Sequence, residues 1–495
     1  MIFIAVLIVI ALVFSPWATF ATLSSGDWPF LFVENIKEFS WIPEIRYLWL
    51  APYYQIVTKI VVQYLRVPWE ITEKLFWFLP FVLLSLWSSY RLTKSALGSL
   101  IYTTNTYALM IVGGGQLGVA FAYALAPLVL KFLMETKKIM LTGLIVALQV
   151  SFDPRITALT VIAALIYYGF IGVTLRKLFF VGICVGIAGI FNLYWIVPLL
   201  NSHAPIAQQL GETTIASIKF LSFATFEQTI SLVHPNWPEN IFGKIYFMQP
   251  EFLVVAILAF SSLIFKPKTT KVLYFAVIAL IGAFLAKGAN PPFGEVYIWL
   301  FTYVPGFSLF RDPSKFYLYP VLAFSVLIPF AIQSTKKIRF FSLLFILFWS
   351  FTIREALLGQ LSGTFKPTTV PHEYVRLKDF LVSQQEPFQT LWIPERQRFG
   401  FASKLHPAVD ARLLTGESSI SGILAWINSK DAQRELSSRN IKYIVVGYDS
   451  RGELFLTDRK YDETVYDETL DQVTKISWLH KEGEFGKIGV FEVVH

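Results

Sequence analysis

The chain begins MIFIAVLIVIALVFSPWATFATL, residues 1–23, without Lys, Arg, Asp or Glu, and continues Ser24-Ser25-Gly26-Asp27-Trp28-Pro29-Phe30. An uncharged apolar stretch of about 20 residues is long enough to cross a bilayer as a helix. We therefore predict a retained first membrane helix. A cleaved signal peptide is the alternative, but the basic segment that opens such a peptide is missing. The first charged side chain, Asp27, follows directly after this helix.

Composition places the whole chain in the membrane class. Of 495 residues, 55% are hydrophobic and only 15% are charged, whereas soluble domains have about 25% charged residues. The net charge of +8 lies largely in short loops, so it does not indicate a nucleic-acid partner. Because Cys184 is the single cysteine, a disulfide within the chain is excluded.

Eleven apolar runs predict a mainly α polytopic membrane protein of about eleven transmembrane helices. The shortest have only 14 or 15 residues, so they need flanking residues or local thinning of the bilayer to span it. Each short run is alternatively re-entrant. The runs are 1–22, 75–90, 96–113, 117–133, 139–152, 156–174, 178–200, 252–265, 272–286, 316–333 and 340–353.

Loop charges predict the orientation. Every second short loop is basic, and the positive-inside rule places such loops in the cytoplasm. We expect a plasma-membrane protein with a cytoplasmic N-terminus, an extracytoplasmic C-terminus and Asp27 outside. The basic residues are Arg91 and Lys94; Lys137 and Lys138; Arg176 and Lys177; Lys266, Lys268 and Lys271; and Lys336, Lys337 and Arg339.

The composition changes near residue 360. Residues 1–360 form the predicted membrane module, with long external loops at 23–74, 201–251 and 287–315. Residues 366–495 carry frequent charges and short strand-like runs, which predict a small extracytoplasmic α/β domain. The expected strands are Thr390–Ile393, Lys442–Val446 and Lys487–Val494, and the expected helix is Ile427–Ser438.

Asp27 is the candidate catalytic residue. A carboxylate at the membrane–water boundary can accept a proton from a hydroxyl nucleophile. Gly26 and Pro29 on either side indicate a tight turn that would fix its position. The alternative is a solvated carboxylate at a helix end.

Arg311 and Lys315 are candidate phosphate ligands. They lie four residues apart at the outer end of the run 316–333, so in a helix they would share one face. A guanidinium fork and an ammonium both suit a phosphate. Interfacial snorkelling of the two cations is the alternative.

Asp153 and Arg155 lie in the external turn Ser151-Phe152-Asp153-Pro154-Arg155. The spacing favours an ion pair between them. The functional alternative places Arg155 on the phosphate and Asp153 on sugar hydroxyls. Other candidate substrate contacts come from the external loops: Trp28, Glu34, Asn290 and His234.

Three stretches of sequence carry a family resemblance. Gly288-Ala289-Asn290-Pro291-Pro292-Phe293-Gly294, followed by Pro305-Gly306-Phe307 and Phe310-Arg311-Asp312-Pro313-Ser314-Lys315-Phe316, resembles bacterial YfhO-type membrane proteins. It is also similar to mycobacterial arabinofuranosyltransferases. Both groups are similar to the GT-C superfamily of polyprenyl-phosphate-sugar glycosyltransferases.

The resemblance implies a GT-C-like helical bundle with an acidic general base in the first external loop, where Asp27 lies. It implies a polyprenyl-phosphate sugar donor held by Arg311 and Lys315, and an extracytoplasmic glycan, lipid or protein acceptor. Asp27 is not part of an Asp-x-Asp pair, so no metal-ligating residue is assigned and a divalent metal stays an open alternative. The rival functions are a lipid or polysaccharide transporter and a non-catalytic scaffold for envelope assembly.

Overall fold

The computed structural model describes residues 1–28, 30–37, 49–201, 214–238, 249–265, 269–429, 431–448 and 462–494. Parts of the predicted loops 23–74 and 201–251, together with Pro29, Lys266 and Lys268, lie outside these residues. The described residues divide into two compact units. One lies within Met1–Pro29 and Ser40–Pro367, and the other within Phe30–Phe39 and Thr368–His495. The residues 30–37 thus belong with the C-terminal unit, which the composition change near residue 360 does not indicate.

The first unit is almost entirely helical. Each of the eleven apolar runs contains helix, because runs of Leu, Ile, Val, Phe and Ala satisfy the backbone internally in that form. The run 1–22 is helical only over Ile2–Val13 and Ser15–Trp17, so the predicted first helix ends well before Asp27. The main helices are Ile2–Val13, Leu79–Thr93, Ala96–Thr104, Thr106–Gly113, Leu117–Glu135, Ile139–Phe152, Pro154–Ile171, Leu175–Phe191, Leu193–Asn201, Pro250–Phe265, Thr270–Ala286, Leu318–Gln333 and Ile338–Thr352.

Shorter helical segments fill the connections between these helices. Several are a single turn, and two are π-helical. They are Ser15–Trp17, Ala51–Ile56, Val57–Tyr64, Trp69–Glu73, Lys74–Phe78, Ile215–Leu221, Phe226–Ile230, Gly294–Tyr303, Phe307–Phe310, Pro313–Tyr317, Arg354–Leu357 and Gly363–Phe365.

Helix length limits the number of spans that the structure supports. Among the described residues, four helical stretches are long and apolar enough to cross a membrane: Trp69–Thr93, Leu117–Glu135, Pro154–Ile171 and Pro313–Gln333. The pair Leu175–Phe191 and Leu193–Asn201, bent by 76°, makes a fifth if it is one span. The structure therefore supports four or five spans and not eleven, since a helix of 10–17 residues at 1.5 Å per residue is shorter than the roughly 30 Å hydrocarbon core.

Two breaks shorten the helices at polar side chains. Asn105 ends one helix and caps the next, because its side-chain oxygen accepts a hydrogen bond from the backbone N–H of Ala108 at 3.0 Å. Asn192 sits at the 76° bend, where its amide donates to the carbonyl of Ala147 at 3.1 Å. Residues 114–116 connect the helices Thr106–Gly113 and Leu117–Glu135.

The second unit contains a five-stranded sheet: β1 (Gln389–Ile393), β2 (Ala408–Asp410), β3 (Ile441–Val446), β4 (Leu479–Lys481) and β5 (Gly489–Val493). The strand order is β2-β1-β3-β5-β4. Strands β1, β2 and β3 run parallel, and β5 is antiparallel to β3 and β4. The helices of this unit are Val33–Lys37, His372–Ser383, Ala411–Thr415, Ile420–Ile427, Ala432–Ser438 and Glu463–Thr474.

Both faces of this sheet are covered by apolar side chains. Leu391, Ile444 and Phe491 pack on one face, and Trp392, Val445 and Val490 on the other. This alternation follows from the period of two in a strand. The single helix expected at residues 427–438 is instead two helices, since Ile420–Ile427 ends before Ala432–Ser438 begins.

Candidate functional site

Asp153, which is buried, and Arg155, which is partly exposed, form an ion pair at the start of the helix Pro154–Ile171. The Asp153 side chain caps this helix by accepting hydrogen bonds from the backbone N–H groups of Arg155 and Ile156 at 2.8 and 3.0 Å. Nη2 of Arg155 lies 2.6 Å from Oδ2 of Asp153, whose side chain is only 1% exposed. The pairing that the sequence favoured is therefore present. Burial acts to raise the pKa of Asp153, but the Arg155 guanidinium, the Lys315 ammonium and the backbone N–H of Ile156 together hold this pKa below its ordinary value.

Asp312 and Lys315 repeat this arrangement on another element. Asp312 caps the 3₁₀ turn Pro313–Tyr317 by accepting from the backbone N–H of Ser314 at 3.0 Å. Nζ of Lys315 lies 2.6 Å from Oδ2 of Asp312, and the Lys315 side chain is buried. Burial opposes ionisation of Asp312, yet the Lys315 ammonium lowers its pKa from the usual value.

The two ion pairs lie near one another. The helix Pro154–Ile171, which begins at the first pair, packs against the turn Pro313–Tyr317, which carries Lys315 of the second pair. We call these four residues the ionic cluster. It sits where two of the longest apolar stretches begin, Pro154–Ile171 and Pro313–Gln333. The two cations and two carboxylates balance in charge, and the carboxylates use only part of the hydrogen-bond donors of Arg155 and Lys315.

Aromatic side chains lie next to the ionic cluster. The rings of Tyr107 and Tyr317 are stacked, with centroids 5.6 Å apart and planes at 11°. The ring of His234 lies 5.6 Å from that of Tyr317 and 6.1 Å from that of Tyr107. Tyr317 is the last residue of the turn Pro313–Tyr317, which also contains Lys315. These three rings therefore belong to the same site as the ionic cluster.

His234 is held neutral in this site. Its Nδ1 accepts a hydrogen bond from the backbone N–H of Asn236 at 3.2 Å, so Nε2 carries the proton in the neutral ring. Burial lowers the pKa of His234 to about 4, although the Asp312 carboxylate acts to raise it. The imidazole is thus a neutral hydrogen-bond donor near pH 7.

Two buried polar atoms beside these rings have no hydrogen-bond partner within the described residues. They are the hydroxyl of Tyr107 and Oδ1 of Asn236. Native proteins pair nearly all buried polar atoms with protein, water or ligand. The site therefore has one hydroxyl and one amide oxygen available to a polar ligand.

Asp27 lies on a separate turn of the same unit. Ser25 and Trp28 exchange backbone hydrogen bonds of 2.9 and 2.8 Å, and Gly26 between them has a φ of +50°. The backbone N–H of Asp27 donates to the carbonyl of Gly114 at 2.9 Å. The Asp27 carboxylate is exposed, and within the described residues it makes no hydrogen bond or ion pair. The tight turn predicted around Gly26 is present.

Other predicted site residues are held by structural contacts. Trp28 is fully buried, and its Nε1 donates to Oε2 of Glu73 at 3.0 Å. Glu34 lies in the second unit, where it pairs with Lys378 at 3.2 Å. The amide of Asn290 donates to the carbonyls of Ser222 and Ala224 at 2.6 and 2.8 Å. None of these groups belongs to the ionic cluster.

Arg311 and Lys315 do not share one helix. Arg311 lies between Phe307–Phe310 and Pro313–Tyr317, and only Lys315 is part of the stretch that continues into Leu318–Gln333. The reason is the Asp312-Pro313 pair, since Asp caps a new helical turn and Pro favours its first position. The sequence expectation of a common helix face was therefore wrong.

Sequence reasoning missed Asp312, Tyr107 and Tyr317. A signal for Asp312 existed, because Asp153-Pro154 and Asp312-Pro313 are the same cap motif, each followed within two residues of the proline by a cation. No such signal marks the two tyrosines, which occur within apolar runs like the other aromatic residues. Their place in the site becomes visible only in the folded structure, where the two rings stack on each other.

Comparison of the chain with protein-family models and with curated proteins finds no match. Within the described residues, no group of three or more His, Cys, Asp and Glu side chains is arranged to hold a metal ion.

Proposed function

We propose that this protein is a GT-C-like membrane glycosyltransferase that moves a sugar from a polyprenyl-phosphate donor to an acceptor outside the cytoplasm. The observation that carries the proposal is the ionic cluster, in which Arg155 and Lys315, from distant parts of the sequence, lie at the starts of two candidate spans that pack together there. A lipid phosphate lies at this depth of a bilayer, with its tail beside the apolar helices.

The membrane arrangement belongs to this proposal. Four or five helices are long enough to cross the bilayer by themselves, and the shorter apolar helices would cross with the help of flanking residues and local thinning, which gives eleven crossings in all. The alternating basic loops support a cytoplasmic N-terminus and a second unit outside the cytoplasm. In that arrangement Asp27, the ionic cluster and the second unit all lie on the outer side.

Arg155 and Lys315 keep donors that a phosphate can use. Arg155 directs Nε and Nη2 at Asp153, which leaves the donors on Nη1 without a partner within the described residues. An ammonium has three N–H groups, and that of Lys315 donates one to Asp312. The paired carboxylates hold both cations in place before the substrate arrives, which is the preorganisation that stabilises a developing charge. Arg311, one residue before Asp312, would reach the same phosphate from outside the helix.

The proposed reaction is a single displacement. Asp27 accepts the proton of the acceptor hydroxyl as that oxygen forms a bond to the anomeric carbon. The bond from the anomeric carbon to the phosphate oxygen breaks, and its electron pair leaves with the polyprenyl phosphate. Arg155 and Lys315 stabilise the negative charge of the leaving group, and the sugar is inverted.

The test is release of polyprenyl phosphate by the purified protein. A panel of polyprenyl-phosphate sugars is offered with sugar and lipid acceptors in detergent, and the released lipid phosphate is counted. We expect one donor to be consumed with a stoichiometric glycoside product. Movement of an intact donor across vesicle membranes without release would favour a transporter, and no turnover or movement with any donor would favour a scaffold.

A further inference from the structure

Glu73 is a fully buried carboxylate on the helical stretch Trp69–Thr93. Its two oxygens accept hydrogen bonds from different donors. Oε1 accepts from the backbone N–H of Leu23 at 2.9 Å, and Oε2 accepts from the indole Nε1 of Trp28 at 3.0 Å. Lys74 pairs with Oε1 at 3.2 Å and also donates to the carbonyl of Ala21 at 2.7 Å. A carboxylate within a membrane helix is costly, so its presence calls for a role.

The two donors bracket the turn that carries Asp27. Leu23 precedes this turn and Trp28 ends it, while Asp27 lies exposed at its tip. Glu73 thus ties both ends of the turn to one helix. The indole of Trp28 is also stacked on that of Trp69, with ring centroids 5.8 Å apart.

The opposite side of the turn is held by close backbone packing. A Cβ at Gly26 would lie 2.3 Å from the carbonyl oxygen of Gly114, and a Cβ at Gly115 would lie 2.3 Å from that of Ser25. Only glycine fits at either position. The turn is therefore fixed between the Gly114-Gly115 backbone and the Glu73 carboxylate.

We propose that Glu73 is a positioning residue that holds the Asp27 carboxylate in place for proton transfer. This inference rests on the proposed role of Asp27 as the general base. A general base acts only within about 3 Å of the proton that it accepts, and a displacement of about 1 Å can cost about 100-fold in rate. Glu73 contacts neither substrate nor the ionic cluster, so its effect falls on turnover and not on donor binding.

Glu73→Gln is the first test. The amide keeps the shape of the side chain but presents an NH₂ group to one of the two donors, so one end of the turn loses its acceptor. We expect kcat to fall about 10- to 100-fold, while the KM for the donor lipid changes less than twofold. Trp77→Phe is the matched control, because the ring centroids of Trp77 and Trp28 lie 5.0 Å apart and no hydrogen bond joins them. The kcat of this variant should stay within twofold of the wild type.

A spectroscopic test does not depend on activity. A nitroxide is attached to Asp27→Cys in a Cys184→Ser background, and its mobility is compared with Glu73→Ala, Glu73→Gln and Trp77→Phe added. We expect both Glu73 variants to sharpen the spectrum and the Trp77 variant to leave it unchanged. If Glu73→Ala does not fold, Glu73→Gln gives the answer.

The outcomes separate this inference from the proposed function. An unchanged label spectrum in a folded Glu73 variant, or a normal kcat in Glu73→Gln, overturns the positioning role. Normal turnover in Asp27→Asn overturns the role of Asp27 as the base, whereas an inactive Asp27→Asn with a fully active Glu73→Gln overturns the positioning role alone.

Discussion

Oδ2 of Asp153 lies 2.6 Å from Nη2 of Arg155, and the same carboxylate caps the helix in which Arg155 stands. One side chain therefore sets both the start of the helix and the direction of the guanidinium. Asp312 does the same for Lys315. Removing either carboxylate would free its cation and expose a helix start, so structural and functional effects have to be separated by paired variants.

Arg155→Met should destabilise the protein strongly. It leaves the Asp153 carboxylate, 1% exposed, without its counter-charge, which typically costs about 3–5 kcal/mol. The thermal-unfolding midpoint in detergent should fall accordingly. Adding Asp153→Asn should recover most of that loss without restoring donor binding.

Arg339→Met is the control for this prediction, because Arg339 is exposed in the first turn of the helix Ile338–Thr352 and is not part of the ionic cluster. It should change neither the unfolding midpoint nor the affinity for the donor. Full activity in the Asp153→Asn, Arg155→Met double variant would show that Arg155 has only a structural role.

Lys315→Met should raise the KM for the donor. Loss of one charge-assisted hydrogen bond to the phosphate is worth about 1.5–3 kcal/mol, which corresponds to about 10- to 100-fold in kcat/KM. Lys315→Met combined with Asp312→Asn removes the uncompensated carboxylate and should fold as well as the wild type. An unchanged KM in that double variant would remove Lys315 from the donor site.

His234 should make stability depend on pH. Its pKa is lowered to about 4 in the folded protein from an ordinary value of about 6.5. Between these values the unfolded chain binds a proton that the folded protein does not, so stability is complete above about pH 6.5 and falls by at most about 1.4 kcal/mol per pH unit towards pH 4.

In His234→Gln, the unfolding midpoint should therefore change less with pH between pH 6.5 and 4 than it does in the wild type. Asp312 is the nearby carboxylate that acts on this histidine. The pKa values of Asp312 and Asp153 are both lowered in the folded protein. The stability that these two carboxylates contribute is therefore lost only at pH values below this window. An equal pH slope in wild type and variant would contradict the burial of a neutral imidazole.

The predicted topology can be tested with cysteines in the Cys184→Ser background. Leu413 in the second unit is 81% exposed, and Lys137 is an exposed residue of a predicted cytoplasmic loop. Leu413→Cys should react with an impermeant thiol reagent in intact cells, whereas Lys137→Cys should react only after permeabilisation. The reverse pattern would place the ionic cluster on the cytoplasmic side and contradict the proposed donor orientation.

Helices and strands could be located from the sequence because a hydrophobic run or a cluster of β-branched residues favours helix or strand over the same residues. The runs 139–152 and 252–265 match Ile139–Phe152 and Pro250–Phe265 within two residues, and the strand at Lys442–Val446 was found within one. The bend at Asn192 could not be found this way, since its amide is satisfied by Ala147, a residue 45 positions away.

The candidate site could be predicted only in part. The Asp153–Arg155 pair is a local contact, so its spacing revealed it. Arg155 and Lys315, 160 residues apart in the sequence, come near each other only because their helices pack together. Glu73 accepts hydrogen bonds from residues 45 and 50 positions away. Such long-range contacts produce no repeating pattern of residues that could be recognised in a single sequence.

The most direct measurement compares polyprenyl-phosphate release by the wild type and by Asp27→Asn under single-turnover conditions with the active donor. The exposed Asp27 side chain has no partner within the described residues, so its replacement should leave the unfolding midpoint unchanged. Loss of a general base typically costs about 10²- to 10⁴-fold, and we predict a fall of that size with donor binding intact. Equal release by the two proteins would contradict the proposed transferase mechanism.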